Sequence, residues 1–178
     1  MRNKSVRAAM CGLAAALSIT LMFLGGVLYV FAYTVPMLLG LISVMIKKTL
    51  GTGSAVFVYI ATSILSLILV PEKECVMMFV LFFGYYPIVK SYFEKIKLKA
   101  VRFILKLLLF NASLAVIELI CVYAFGIPFF EDGVFSAALL IGFAAAMNFV
   151  FVMYDFLLKI FLVLYEKKIE KRIKKFLK

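Results

Sequence analysis

The chain has 178 residues, 66% of them hydrophobic and 16% charged, with a mean hydropathy of +1.14. Soluble domains average about 45–50% apolar and about 25% charged, so a water-soluble fold is excluded; no single core of this size could hide so much Leu, Val, Ile and Phe. The net charge of +11 does not point to nucleic acid, because the basic residues flank apolar runs, which is how membrane proteins place them.

In chain order, the apolar runs predict an all-α, polytopic membrane protein: one transmembrane domain built as a six-helix bundle. Span one covers about 8–27, broken at Gly25-Gly26, and span two about 31–46, containing Pro36 and ended by Lys47-Lys48. Span three covers about 54–70, ended by Pro71, and span four about 75–89, with Pro87 near its end. Span five covers about 103–125, ended by Gly126-Ile127-Pro128, and span six about 134–158. Spans two and four are short for a bilayer, which needs ~20 residues. The apolar run after MRNKSVR continues well past Ala14-Ala15-Ala16, so it reads as an uncleaved span rather than a signal peptide.

Six spans with both termini in the cytoplasm place every basic residue but Lys73 on the inner side. The outer loops then hold Glu72, Glu74, Glu131 and Asp132. Removing one span would split the lysine blocks between the two sides, against the positive-inside rule. The segment Lys90 to Arg102 and the basic tail 159–178 alternate apolar residues with lysines, a pattern suited to helices lying on the inner leaflet.

His and Trp are absent, and Cys11, Cys75 and Cys121 are far apart. The commonest general base is therefore missing. The cysteines read as small apolar residues, not as a disulfide or metal framework, so neither an enzyme nor a cofactor is expected.

The polar residues inside spans each need a reason. Asn111 and Glu118 share a face of span five, and Asn148 and Asp155 share one on span six. At ~1.5 Å per residue, Asn111 and Asn148 fall within roughly 5 Å of the midplane, and Glu118 lies roughly 6 Å to its outer side. Asn111 and Asn148 could bond one another. Asp155 reads as an interface charge paired with Lys159 or Lys106, whereas Glu118 has no basic residue at its depth. A lone carboxylate there is protonated, faces a water-filled cavity or binds a cationic ligand. On span one, Ala8, Gly12 and Ala16 form a small-residue row against which another helix could pack, either within the bundle or from a partner. Span six has a similar row at Ala138, Gly142 and Ala146.

The runs RAAMCGLAAALSITL (Arg7 to Leu21) and TVPMLLGLI (Thr34 to Ile42), with the chain length, six spans and basic ends, resemble the substrate-binding S components of energy-coupling-factor transporters of bacterial inner membranes. The first run is similar to that family's Ala-rich AxxxA helix, with Gly12 in the middle position, and the second to its Pro-containing helix. The resemblance implies a small-molecule ligand, vitamin- or metal-sized, in an outward-facing pocket. It also implies a transmembrane coupling subunit, driven by ATPases, docked on Ala8, Gly12 and Ala16. The chain itself has no Walker motif. Glu118 would favour a neutral or cationic ligand, with Asn111, Asn148 and Tyr123 as hydrogen-bonding partners. The competing expectation is a non-catalytic membrane scaffold akin to the rod-shape-determining membrane subunits.

Overall fold

The computed structural model describes residues 2–28, 31, 33–126 and 137–169. Within them the chain is helical throughout. The segments are α1 (Arg2–Val27), α2 (Thr34–Leu50), α3 (Thr52–Leu69), α4 (Lys73–Met78), α5 (Tyr86–Phe93), α6 (Lys99–Phe125) and α7 (Ala137–Leu164). Wider π-type turns extend α4 over Phe79–Phe83 and α7 over Tyr165–Ile169.

Among the described residues, five segments are long and apolar enough to cross a bilayer: Lys4–Val27, Thr52–Leu69, Lys73–Phe93, Lys99–Phe125 and Ile141–Lys167. The protein is therefore a multi-pass membrane protein. At 17 residues, α2 spans about 26 Å, somewhat short of the ~30 Å hydrocarbon core.

Several boundaries differ from those the sequence predicts, for local reasons. The first helix begins at Arg2 and passes through Gly25 and Gly26 without breaking. These glycines are sites of close approach: a Cβ on Gly25 would lie 2.7 Å from Val35, and one on Gly26 2.9 Å from Val70. Lys47 and Lys48 do not end α2 but sit in its last turn, where cations favour the C-terminal dipole. The helix stops at Gly51, whose φ of +96° and ψ of 169° lie in a region essentially reserved for glycine. That single residue joins α2 to α3.

Pro87 shapes the fourth segment. It has no N–H to bond the carbonyl four residues back, and its ring crowds that carbonyl. The helix widens ahead of it, with the Gly84 amide donating to Phe79 O at 2.8 Å, and restarts at Tyr86. The expected surface helix over Lys90 to Arg102 is instead split. The chain leaves α5 at Phe93, turns, and enters α6 at Lys99.

Helices α1, α2 and α3 pack on one another, and α4–α5 threads between this group and α6 and α7. Its central place shows in burial: 61% of its most apolar stretch is covered, against 17% for α7. Lipid offers no hydrophobic drive for helix association, so close packing carries the load. Phe110 stacks on Phe151 with centroids 4.7 Å apart, Phe82 stacks on Tyr86 at 4.8 Å, and Phe83 meets Tyr154 edge-on at 5.0 Å.

Candidate functional site

The two ends of the bundle differ in charge. At the basic end, the Arg7 guanidinium donates to Leu50 O, Lys47 to Ile88 O and Ser91, and Lys48 pairs with Glu166. These contacts bring together the start of α1 and the ends of α2, α5 and α7. At the opposite, acidic end, the Tyr33 hydroxyl donates to Glu74 at 2.5 Å.

Asp155 on α7 organises a buried charged cluster. Its carboxylate lies 2.7 Å from Lys90 Nζ and 3.0 Å from Lys106 Nζ, and accepts a hydrogen bond from the Tyr86 hydroxyl at 2.5 Å. Lys90 also donates to the Asp155 carbonyl at 2.5 Å. Lys90 and Lys106 are 2% and 5% exposed, so both side chains are packed inside the bundle against the carboxylate. The sequence points to Lys106 or Lys159 as the partner of Asp155, and the structure chooses Lys106 and adds Lys90. Lys90 was missed because it opens a lysine-rich stretch that reads as surface, and Tyr86 because its neighbours are apolar.

Beside this cluster a polar cleft of about 290 Å³ opens between the start of α6 and the end of α7. Lys99, Arg102 and Lys159 line it together with Lys106, and the carboxylates of Glu94 and Asp155 complete the polar wall.

Asn111 and Asn148 meet across α6 and α7 and exchange amide hydrogen bonds at 2.9 and 3.0 Å. Each amide also donates to a carbonyl one turn back, Leu107 O and Ala144 O, at 2.8 Å. The pair thereby satisfies itself at membrane depth. Such pairs contribute about 0.6 kcal/mol on average and up to about 1.7. We expect Asn111→Ala and Asn148→Ala each to cost about 1 kcal/mol in unfolding from detergent, and the double variant to cost less than the sum, as a double-mutant cycle would show.

Glu118 is half-buried on α6 and, among the described residues, has neither an ion pair nor a hydrogen bond. It does share the acidic end with Tyr33. Burial, the hydrogen bond to Glu74 and the charges of Glu74, Glu118 and Glu72 together raise the Tyr33 phenol well above its ordinary pKa. Lys73, the one basic residue among the described residues of this end, donates to Leu67 O and Val70 O at 2.9 Å, so it caps α3 and leaves the carboxylates alone. Tyr123 is 82% exposed, away from Glu118. The chain joining α6 to α7, with Glu131 and Asp132, lies outside the described residues, as do the side chain of Ala138 and the tail beyond Ile169.

Ala8, Gly12 and Ala16 lie on the exposed face of α1, and a Cβ on Gly12 would meet nothing within 4 Å. The neighbouring row, Cys11 and Ala15, is the one packed into the bundle, against residues of α2 and α3. An apolar groove of about 270 Å³ adjoins the open row, between Leu13 and Leu17 of α1 and Met45 and Ile46 of α2. All three cysteines are free and buried.

No family model matches the chain, and no curated protein or solved structure matches it.

Proposed function

We propose that the protein is a six-span subunit of a bacterial cytoplasmic membrane that captures a small cationic or neutral micronutrient on its outer side, in the manner of an energy-coupling-factor substrate-binding component. The positive-inside rule sets the basic end in the cytoplasm and the acidic end outside. The observation that carries the reading is the uncompensated acidity of that outer end. Among the described residues Glu118 has no basic partner, Glu74 stands near it, and Lys73 is engaged by the carbonyls of α3. An intramembrane carboxylate without a partner is costly, which makes it a functional residue by default. Ala8, Gly12 and Ala16 support the second half of the reading: they form an unfilled face where a coupling helix can approach closely.

The test is ligand-dependent thermal stabilisation of the purified protein across vitamin-sized solutes, half of them organic cations. Cations should raise the melting temperature, and Glu118→Gln should remove the shift while leaving the ligand-free melting point within a few degrees. Neutral solutes that stabilise both proteins equally would leave Glu118 without a role in binding. Gly12→Leu should abolish co-purification of an ATPase-coupled membrane subunit.

A non-catalytic scaffold is the second reading. It is favoured by the solid aromatic packing of Phe82, Tyr86, Phe110, Phe151 and Tyr154, which fills the bundle interior. A scaffold would show no stabilisation by any solute in the panel.

A further inference from the structure

The cleft at the basic end is not used by the outer binding reading and does not depend on it. Its walls hold more positive charge than the protein neutralises. Asp155 contributes one carboxylate to two buried lysines, Lys90 and Lys106, so the cluster behind the cleft has more ammonium groups than carboxylates. In front of it, Lys99, Arg102 and Lys159 line the opening with no ion pair of their own among the described residues. Glu94 is the opposing carboxylate, also unpaired, and offsets only part of this charge. Lys99 and Arg102 belong to the first turn of α6, whose N-cap, Leu98, supplies no side-chain acceptor. The Arg102 amide donates to Leu98 O at 3.0 Å, the three amides ahead of it lie in the uncapped first turn, and the N-terminal dipole adds positive potential.

We propose that this cleft binds a phosphate group. Arg102 and Lys159 would contact its oxygens, the open amides at the start of α6 would face it, and Lys106 of the Lys90–Lys106–Asp155 cluster would stand behind it. A guanidinium matches phosphate geometry with two parallel donors, and lysines add point charges. A volume of about 290 Å³ is at the low end of ligand pockets, suited to a headgroup-sized fragment. Phe103 lines the same cleft and is 48% exposed, so an apolar surface adjoins the phosphate position, as a phospholipid with its glycerol and acyl chains would require. The phosphate could also belong to a soluble molecule, and the experiment separates the two sources.

Full-length protein in detergent is titrated with short-chain phosphatidylglycerol, with short-chain phosphatidylcholine and with inorganic phosphate, and its melting temperature is followed. Two double variants of equal charge loss are compared: Arg102→Gln with Lys159→Gln in the cleft, and Lys95→Gln with Lys97→Gln outside it. All four residues are at least partly exposed, so both proteins should fold. Phosphatidylglycerol should stabilise the wild type at concentrations at least about ten-fold below phosphatidylcholine, and the cleft variant alone should lose that preference. Stabilisation by inorganic phosphate, lost in the same variant, would assign the site to a soluble phosphate compound. Equal loss in both double variants would overturn the proposal in favour of diffuse attraction by the basic end. So would the absence of a phosphate or phosphatidylglycerol effect on the wild type.

Discussion

Replacing Asp155 with Leu should destabilise the protein by about 3–5 kcal/mol, the usual cost of leaving buried charge without its partner. Two ammonium groups depend on this carboxylate, and both are enclosed, at 2% and 5% exposure. Lysines near a membrane interface often escape such a penalty by extending toward water. Lys90 is held instead inside the bundle by Asp155, whose carboxylate and carbonyl both receive its ammonium. The remedy is as informative as the damage. Changing Lys90 and Lys106 to Met together with Asp155→Leu should restore most of the lost stability, since buried ion clusters replaced by apolar groups of similar volume are often neutral or better. Tyr86→Phe should be milder, at about 1.5–3 kcal/mol, because it removes one hydrogen bond to a charged acceptor. Denaturant-induced unfolding of the four proteins in one detergent checks the series. A cost below about 1 kcal/mol for Asp155→Leu would mean that the two lysines reach solvent or lipid headgroups after all.

Gly40→Ala should be nearly as damaging, although it adds a single methyl group. A Cβ at Gly40 would lie 2.0 Å from the Tyr154 hydroxyl, 2.8 Å from the Phe83 carbonyl and 3.1 Å from the Pro87 ring. The Phe83 carbonyl is the one that Pro87 deprives of its helical partner, so the break in the central segment and the glycine of α2 fit one another. Overpacking of a well-filled core costs about 1–3 kcal/mol, occasionally more, and the three neighbours here include backbone and a ring, neither of which yields easily. We expect about 3 kcal/mol. Tyr154 gives a way to divide that cost. Its hydroxyl is buried without a hydrogen-bond partner among the described residues, so Tyr154→Phe alone should be neutral or slightly stabilising. Combined with Gly40→Ala it should recover part of the loss, the remainder being the Phe83 carbonyl. Gly12→Ala and Gly53→Ala, where an added Cβ meets nothing within 4 Å, serve as controls and should be silent or mildly favourable through helix propensity. If Gly40→Ala were equally silent, α2 and the central segment would have to be less closely packed than described.

Much of the architecture was legible in the residue order because the bilayer imposes a simple rule: apolar stretches of sufficient length become helices, and their ends are marked by charge. Hydropathy located the five segments that are long and apolar enough to cross a bilayer, and the lysine blocks marked one end of the bundle as basic. Counting rise per residue put Asn111 and Asn148 at similar depth, the two are hydrogen-bonded to each other, and the reciprocal amide pair follows from the high cost of a solitary amide in hydrocarbon. The depth of Asp155 narrowed its partner to two lysines for the same reason.

What depended on tertiary structure was every choice among neighbours. Periodicity cannot say which of two adjacent faces of a helix meets the bundle. On α1 the packed row is Cys11 and Ala15, which leaves Ala8, Gly12 and Ala16 open. Nor can local sequence show that a lysine within a charged stretch turns inward, because that requires the carboxylate and the hydroxyl waiting on other helices. Lys90 is buried only because Asp155, 65 residues away, and Tyr86 close around it. The composition and charge order of this chain determined that it crosses a membrane and which of its ends is basic. Side-chain packing between distant segments decided where positive charge is locked inside, and which small-residue face and which cleft remain open.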